Sequence, residues 1–193
     1  MNPRDVLIKT ALLFPEREIL GAVFDPQGNC FAVSRRLHQP AARDETVLTQ
    51  VHNLETGELQ CEFTISCRQG SPQLSPDGRW LALGGGGLDV LDFATGERVV
   101  QIPLPRASRR LAFSQDGKQL ASSGEDGKVH IRSLDGPNGR DLPRRPAKIF
   151  ALVFFGPDYL ATGGSDNLIR LWDLATGEEV GRLSGHQGSV VSL

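Results

Sequence analysis

A four-residue turn that returns at a fixed step constrains this chain more than any other feature of its sequence. Ser75-Pro76-Asp77-Gly78 reappears as Ser114-Gln115-Asp116-Gly117, 39 residues later. Asp25-Pro26-Gln27-Gly28 precedes them, and Gly156-Pro157-Asp158 follows as a version one residue shorter. A second marker keeps the same phase. Thr56-Gly57-Glu58 and Thr95-Gly96-Glu97 are 39 residues apart, and Thr176-Gly177-Glu178 lies a further 81 on, two steps of the same size. The missing member falls near Asn138-Gly139. Two independent markers with one step mean a repeated supersecondary unit, whose neighbours bury a core by stacking.

Within each unit the pattern reads strand, turn, strand. Leu120-Ala121-Ser122-Ser123-Gly124 aligns with Leu160-Ala161-Thr162-Gly163-Gly164, and Val129-His130-Ile131-Arg132 with Ile169-Arg170-Leu171-Trp172. Short apolar runs separated by Asp, Gly, Asn, Ser and Pro are the mark of strands joined by turns. No segment carries a sustained helical period between caps, so the chain reads as all-β. Four strands in roughly forty residues is the arithmetic of a propeller blade.

The residues then carry a resemblance. Leu168-Ile169-Arg170-Leu171-Trp172-Asp173 resembles the strand that gives WD repeats their name, Gly185-His186 resembles the Gly-His pair that opens such a unit, and Ser-Pro-Asp-Gly resembles its first hairpin turn. The resemblance covers nearly the whole chain and is most specific in the last unit. It implies a WD-repeat β-propeller of about four blades, each a four-stranded antiparallel sheet, in an incomplete or open ring. The repeats are expected at residues 19–66, 67–105, 106–145 and 146–184. On that model the inner strands fall near residues 19–24, 73–74, 111–113 and 149–154. Outer strands follow at 59–65, 98–102, weakly at 140–142, and at 180–183. Residues 35–44 read as an insertion between two strands of the first unit.

The ends are less regular. Residues 1–18, in which Val6–Leu13 reads as an outer strand, form a lead-in or the edge of a preceding blade. Residues 185–193 enter a fifth repeat. Open sheet edges recruit other chains, so three readings stand: a piece of a longer protein, a truncated product, or a half-ring that pairs with a second copy into eight blades.

Composition adds exclusions rather than assignments. A formal net charge of −2 and 23% charged residues in 193 point to neither a nucleic-acid nor a membrane partner. Cys30, Cys61 and Cys67 do not make a disulfide framework and read as buried or idle thiols in a reducing compartment. The apolar run Ala11-Leu12-Leu13-Phe14 is too short for a signal-peptide core, so the expected location is the cytoplasm.

No catalytic, cofactor or metal site is expected. His38, His52, His130 and His186 stand singly, and no two cysteines have zinc-ligand spacing. Gly84-Gly85-Gly86-Gly87 is followed by a strand rather than by the helix a phosphate loop needs. Gly163-Gly164-Ser165-Asp166-Asn167 lacks the second glycine of a nucleophile elbow. Asp77, Asp116, Asp126 and Asp166 recur once per unit, which suits turn bracing better than a catalytic pair.

The resemblance implies a structural chain of hydrogen bonds in each blade: a histidine, a middle-strand Ser or Thr, a turn Asp and the third-strand Trp. Carried over, Thr162, Asp166 and Trp172 supply the fourth unit, with Arg145 at about the histidine position. Ser122 and Asp126 supply the third, with Arg132 in place of Trp, and His186 belongs to the fifth. No unit completes the set, and less rigid blades are the expected consequence. The face such propellers use for partners would carry Arg106, Arg109, Arg110, Arg144, Arg145 and Lys148. Clustered arginines suit the carboxylates or phosphates of an acidic or phosphorylated peptide, although a solvated Arg- and Pro-rich loop has the same composition. No aromatic residues stand between these cations to stack bases, which speaks against nucleic acid. The expected function is a non-catalytic protein-interaction scaffold. The alternative is the regulatory or sensory part of a larger enzyme, such as a kinase or protease, whose catalytic residues lie elsewhere.

Overall fold

The computed structural model describes residues 19–37, 46–66, 72–84, 87–103, 108–124, 127–136 and 138–193. They form four sheets of four antiparallel strands, taken up in chain order. Blade 1 holds β1 (Ile19–Phe24), β2 (Cys30–Leu37), β3 (Thr46–Asn53) and β4 (Leu59–Ser66); blade 2 holds β5 (Gln73–Leu74), β6 (Trp80–Gly84), β7 (Gly87–Asp92) and β8 (Arg98–Pro103). Blade 3 holds β9 (Ser108–Phe113), β10 (Gln119–Gly124), β11 (Val129–Ser133) and β12 (Gly139–Asp141); blade 4 holds β13 (Ile149–Phe155), β14 (Tyr159–Gly164), β15 (Ile169–Asp173) and β16 (Glu179–Leu183). Among the described residues there is no helix, and so none long and apolar enough to cross a membrane. The first strands of successive blades, β1, β5, β9 and β13, pack side by side. The architecture is an open β-propeller.

The two repeated markers are the two hairpin turns. In the first, Ser75 Oγ donates to Asp77, the Trp80 amide donates back to Ser75 Oγ at 2.8 Å, and the Gly78 amide closes the turn on the Ser75 carbonyl at 2.9 Å. Ser114, Asp116, Gly117 and Gln119 repeat this arrangement bond for bond. Gly78 and Gly117 sit at φ of 74° and 70°, in the left-handed region that favours glycine. In the second turn a side chain takes two backbone amides. Asn53 accepts from Glu55 and Thr56, Asp92 from Ala94 and Thr95, and Asp173 from Ala175 and Thr176, all at 2.8–3.0 Å. Such turns recur because one short side chain satisfies donors that the chain reversal would orphan.

Period-2 alternation then sorts each blade into two faces. Leu81, Leu83 and Leu91 of blade 2 pack on Ala32, Val47 and Val51 of blade 1. Leu111 and Leu120 of blade 3 pack on Ala82, Leu88 and Val90 of blade 2. Leu160 and Trp172 of blade 4 pack on Ala121, Val129, Ile131 and Leu142 of blade 3. One face of each blade thus carries the large side chains, and the other carries an alanine at the centre of the middle strand to receive them. Each buried Leu or Val contributes about 1.5–3 kcal/mol, so the core is a series of such junctions.

Two expectations need correction. Arg35, Arg36 and Leu37 are not an insertion: they extend β2 and pair with Leu48, Val47 and Thr46 of β3. The long hairpin replaces a loop because Thr46-Val47-Leu48 supplies an extended partner run that includes the β-branched Thr46 and Val47. The fourth strand of blade 3 runs Gly139–Asp141 rather than 140–142, and Leu142 leaves the ladder to fill the junction with blade 4, 2% exposed. The lead-in strand expected at Val6–Leu13, together with Cys67, Arg106 and Asp126, lies outside the described residues.

Candidate interaction surface

The site begins with the segment between β12 and β13, residues 142–148. It belongs to no ladder, yet its backbone is fixed at both ends. The Leu142 amide donates to the Val129 carbonyl at 2.9 Å and the Arg145 amide to the Gly127 carbonyl at 3.0 Å. At the other end the Lys148 amide donates to Ser165 Oγ, and the Ser165 amide returns a bond to the Lys148 carbonyl at 2.9 Å. Leu142 and Ala147 are buried anchors, whereas Arg144 and Lys148 are exposed. Gly127 and Gly164 are where other blade turns meet this backbone. A Cβ at Gly127 would fall onto the Arg145 carbonyl oxygen, and one at Gly164 would sit 2.8 Å from that of Lys148.

Arg145 turns inward. Its guanidinium lies 5.1 Å from the centre of the Trp172 ring and pairs with Glu179 at 3.0 Å. Glu179 also meets Arg170 at 3.3 Å and Arg182 at 2.6 Å, while Arg170 reaches Asp166. Trp172 Nε1 donates to Thr162 Oγ1 at 2.9 Å, both side chains buried. Thr162, Asp166 and Trp172 therefore lie together on the face toward blade 3. Asp166, however, is bonded to Arg170, and Arg145 stands over the indole at the place the resemblance gives to a histidine. Hydrogen bonding from Arg170 lowers the Asp166 carboxyl below its ordinary range, ahead of the opposing effect of burial. Arg145 is thus engaged in this network with its side chain 33% exposed, whereas Arg144 and Lys148 are the more exposed cations of the segment.

Blade 3 satisfies the corresponding positions differently. Arg132, at the tryptophan position, donates to the Ile131 and Arg140 carbonyls and to Asp141 at 2.9–3.0 Å. Asp141 also takes His130 Nδ1 at 2.8 Å. Burial works to raise the Asp141 carboxyl, but the bonds from His130 and Arg132 outweigh it and leave it lowered. Ser122 Oγ, wholly buried, has no hydrogen-bond partner among the described residues, and Arg132 is turned toward the outer strand. His186 is exposed and stands apart from this network.

Of the other expected rim cations, Arg110 is exposed on β9 and donates Nε to the Phe150 carbonyl at 2.7 Å, tying blade 3 to blade 4. It borders a groove of about 510 Å³ between the first strands of blades 2, 3 and 4, closed on one side by Val191–Leu193. Arg106 is outside the described residues, and only the backbone of Arg109 is described, within β9. Cys30 and Cys61 are free and half-buried. Burial, then the charge of Asp25, pushes the Cys30 thiol up to about 11, and burial raises Cys61 too, so both are weak nucleophiles. No group of three or more His, Cys, Asp and Glu among the described residues could hold a metal ion.

These blades, with their paired turns and their Trp–Thr bond, define a WD-type propeller. The family model described as "WD domain, G-beta repeat" matches residues 108–133 and 149–173, the first three strands of blades 3 and 4. Guanine nucleotide-binding protein subunit beta-1 of Caenorhabditis briggsae is 30% identical over 168 residues, 79% of this chain and 49% of the relative. The G(I)/G(S)/G(T) subunit beta-1 of Homarus americanus is 32% identical over 115 residues, 56% of this chain and 34% of its own. The transcriptional corepressor LEUNIG_HOMOLOG of Arabidopsis thaliana is 38% identical over 85 residues, 42% of this chain and 11% of its own. These matches support a WD-repeat family and place its repeats in blades 3 and 4, and the chain spans at most about half the length of these relatives.

Proposed function

We propose that this chain is a non-catalytic scaffold that holds an acidic or phosphorylated peptide of a partner protein, acting in the cytoplasm. The observation that carries this reading is the segment 142–148. It presents the exposed cations Arg144 and Lys148 on a backbone bonded to Gly127 and Ser165, with exposed Arg110 on the neighbouring strand. An anchored backbone suits binding because the cost of ordering the segment is met in folding. The relatives point the same way, since a G-protein subunit and a corepressor are by name members of protein assemblies. The recurring carboxylates are engaged as structure: Asp77 and Asp116 brace turns, and Asp166 holds Arg170. Free thiols at Cys30 and Cys61 suit a reducing compartment.

Titrating the purified chain with a glutamate-rich peptide, its phosphoserine counterpart and a lysine-rich control tests the chemistry. Saturable binding of either anionic peptide that weakens with salt is expected, with no binding of the control. Equal binding of all three peptides, or of none, overturns the reading.

A further inference from the structure

Glu179 lies on the outer strand of blade 4, thirty-four residues beyond the cation it holds. Its side chain is only 12% exposed and meets three guanidinium groups, Arg145 at 3.0 Å, Arg170 at 3.3 Å and Arg182 at 2.6 Å. Arg145 is the central residue of the segment that carries Arg144 and Lys148, and its side chain is held from two directions, by Glu179 and by the Trp172 ring. The flanking anchors are backbone bonds to Gly127 and Ser165. Removing Glu179 would leave Arg170 with Asp166 but take from Arg145 the carboxylate it pairs with, so only the indole would hold its guanidinium.

We propose that Glu179 is a positioning residue for the cationic surface: it keeps Arg145 against Trp172, and so fixes where Arg144 and Lys148 stand, without touching the bound peptide. The inference rests on the proposed binding of an anionic peptide and adds a determinant on a strand remote from that surface. Preorganisation of this kind acts on affinity through the ordering cost that binding no longer bears.

The test is a double-mutant cycle of Glu179→Gln and Arg145→Met, both close to the native side-chain volume, read as affinity for the glutamate-rich peptide and as amide exchange. Each single variant is expected to weaken binding about tenfold, and the double variant no further, because Glu179 acts through Arg145. The Arg145 amide and its neighbours should exchange faster in Glu179→Gln, while the β13–β15 amides keep their protection. Glu179→Asp, which retains the charge, should recover part of the affinity. Independent, additive losses, or unchanged exchange in 142–148, overturn the proposal. Should Glu179→Gln melt earlier yet bind with native affinity when folded, Glu179 is a stability residue and the proposal fails. A wild-type chain that binds no anionic peptide refutes the functional reading instead, and the exchange measurement then decides the positioning role alone.

Discussion

Trp172 shows how one side chain joins two blades. Its ring fills the junction with Ala121, Ile131 and Leu142, while its Nε1–H is spent on Thr162. Trp172→Phe keeps most of the apolar contact and orphans the buried Thr162 hydroxyl. It should cost about 1–3 kcal/mol in denaturant unfolding, with Thr162→Val recovering part of the loss in the double variant. The charged pairs around it make stability depend on pH. Asp166 and Asp141 are lowered in the folded state, so each stabilises the fold above the ordinary carboxylate range, and that contribution is lost as pH falls through its folded value. Asp89 has the opposite sign. Burial raises it despite Arg98 at 3.0 Å, so lowering the pH through its raised value relieves a cost. Acid unfolding of wild type should therefore begin near the ordinary carboxylate range. Asp166→Asn should flatten the acid limb of the stability profile, and Asp89→Asn should raise stability at neutral pH.

At the level of strands and turns, the legible part of the sequence was the local part. Ser75, Asp77 and Gly78 bond to one another within five residues, so the pattern that makes the turn is contiguous and can be read off directly. The Asn53, Asp92 and Asp173 turns are equally local. The place of Arg145 over Trp172 could be phased from the repeat, but its counter-ion could not. Glu179 belongs to the next outer strand, and the first-turn and Thr-Gly-Glu markers carry no information about which acid turns inward. Arg132 offers the same lesson: it stands at the tryptophan position in sequence, yet its donors reach the outer strand, and Ser122 has no partner among the described residues. The structure also tells glycine positions apart. At Gly78 the φ is 74°, and a methyl group added there would sit 2.7 Å from an Asp25 oxygen, so Gly78→Ala should cost about 1 kcal/mol or more. Gly28 has φ of 76° with open space around it, so Gly28→Ala should cost less. Parallel thermal melts of the two variants compare them directly.

For the molecule as a whole, the two end faces differ. On blade 1, Phe31 and Val33 are already buried, 2% and 3% exposed, with Phe31 stacked on His52 at 5.3 Å. On blade 4, the face bearing Ala161 and Gly163 is partly covered by Val190, whose amide donates to the Gly164 carbonyl, but Val153, Phe155 and Leu183 remain exposed. Head-to-tail closure of two copies into eight blades would require blade 1 to uncover the face it has already buried. Phe155, 66% exposed, should account for part of the binding of a hydrophobic dye, so Phe155→Lys should lower that binding with little change in melting temperature. The groove beside Arg110 draws on blades 2, 3 and 4, and the segment 142–148 joins blades 3 and 4, the two blades in which the family model matches.

The most direct measurement of the functional account is the affinity of the chain for the glutamate-rich peptide before and after the paired reversal Arg144→Glu and Lys148→Glu. Both residues are exposed, so the variant should fold and melt as wild type does. The account predicts that affinity falls at least about tenfold and that the residual binding loses most of its salt dependence. Unchanged affinity in a folded variant would contradict it, because the peptide would then be held by something other than the cations that this segment is built to present.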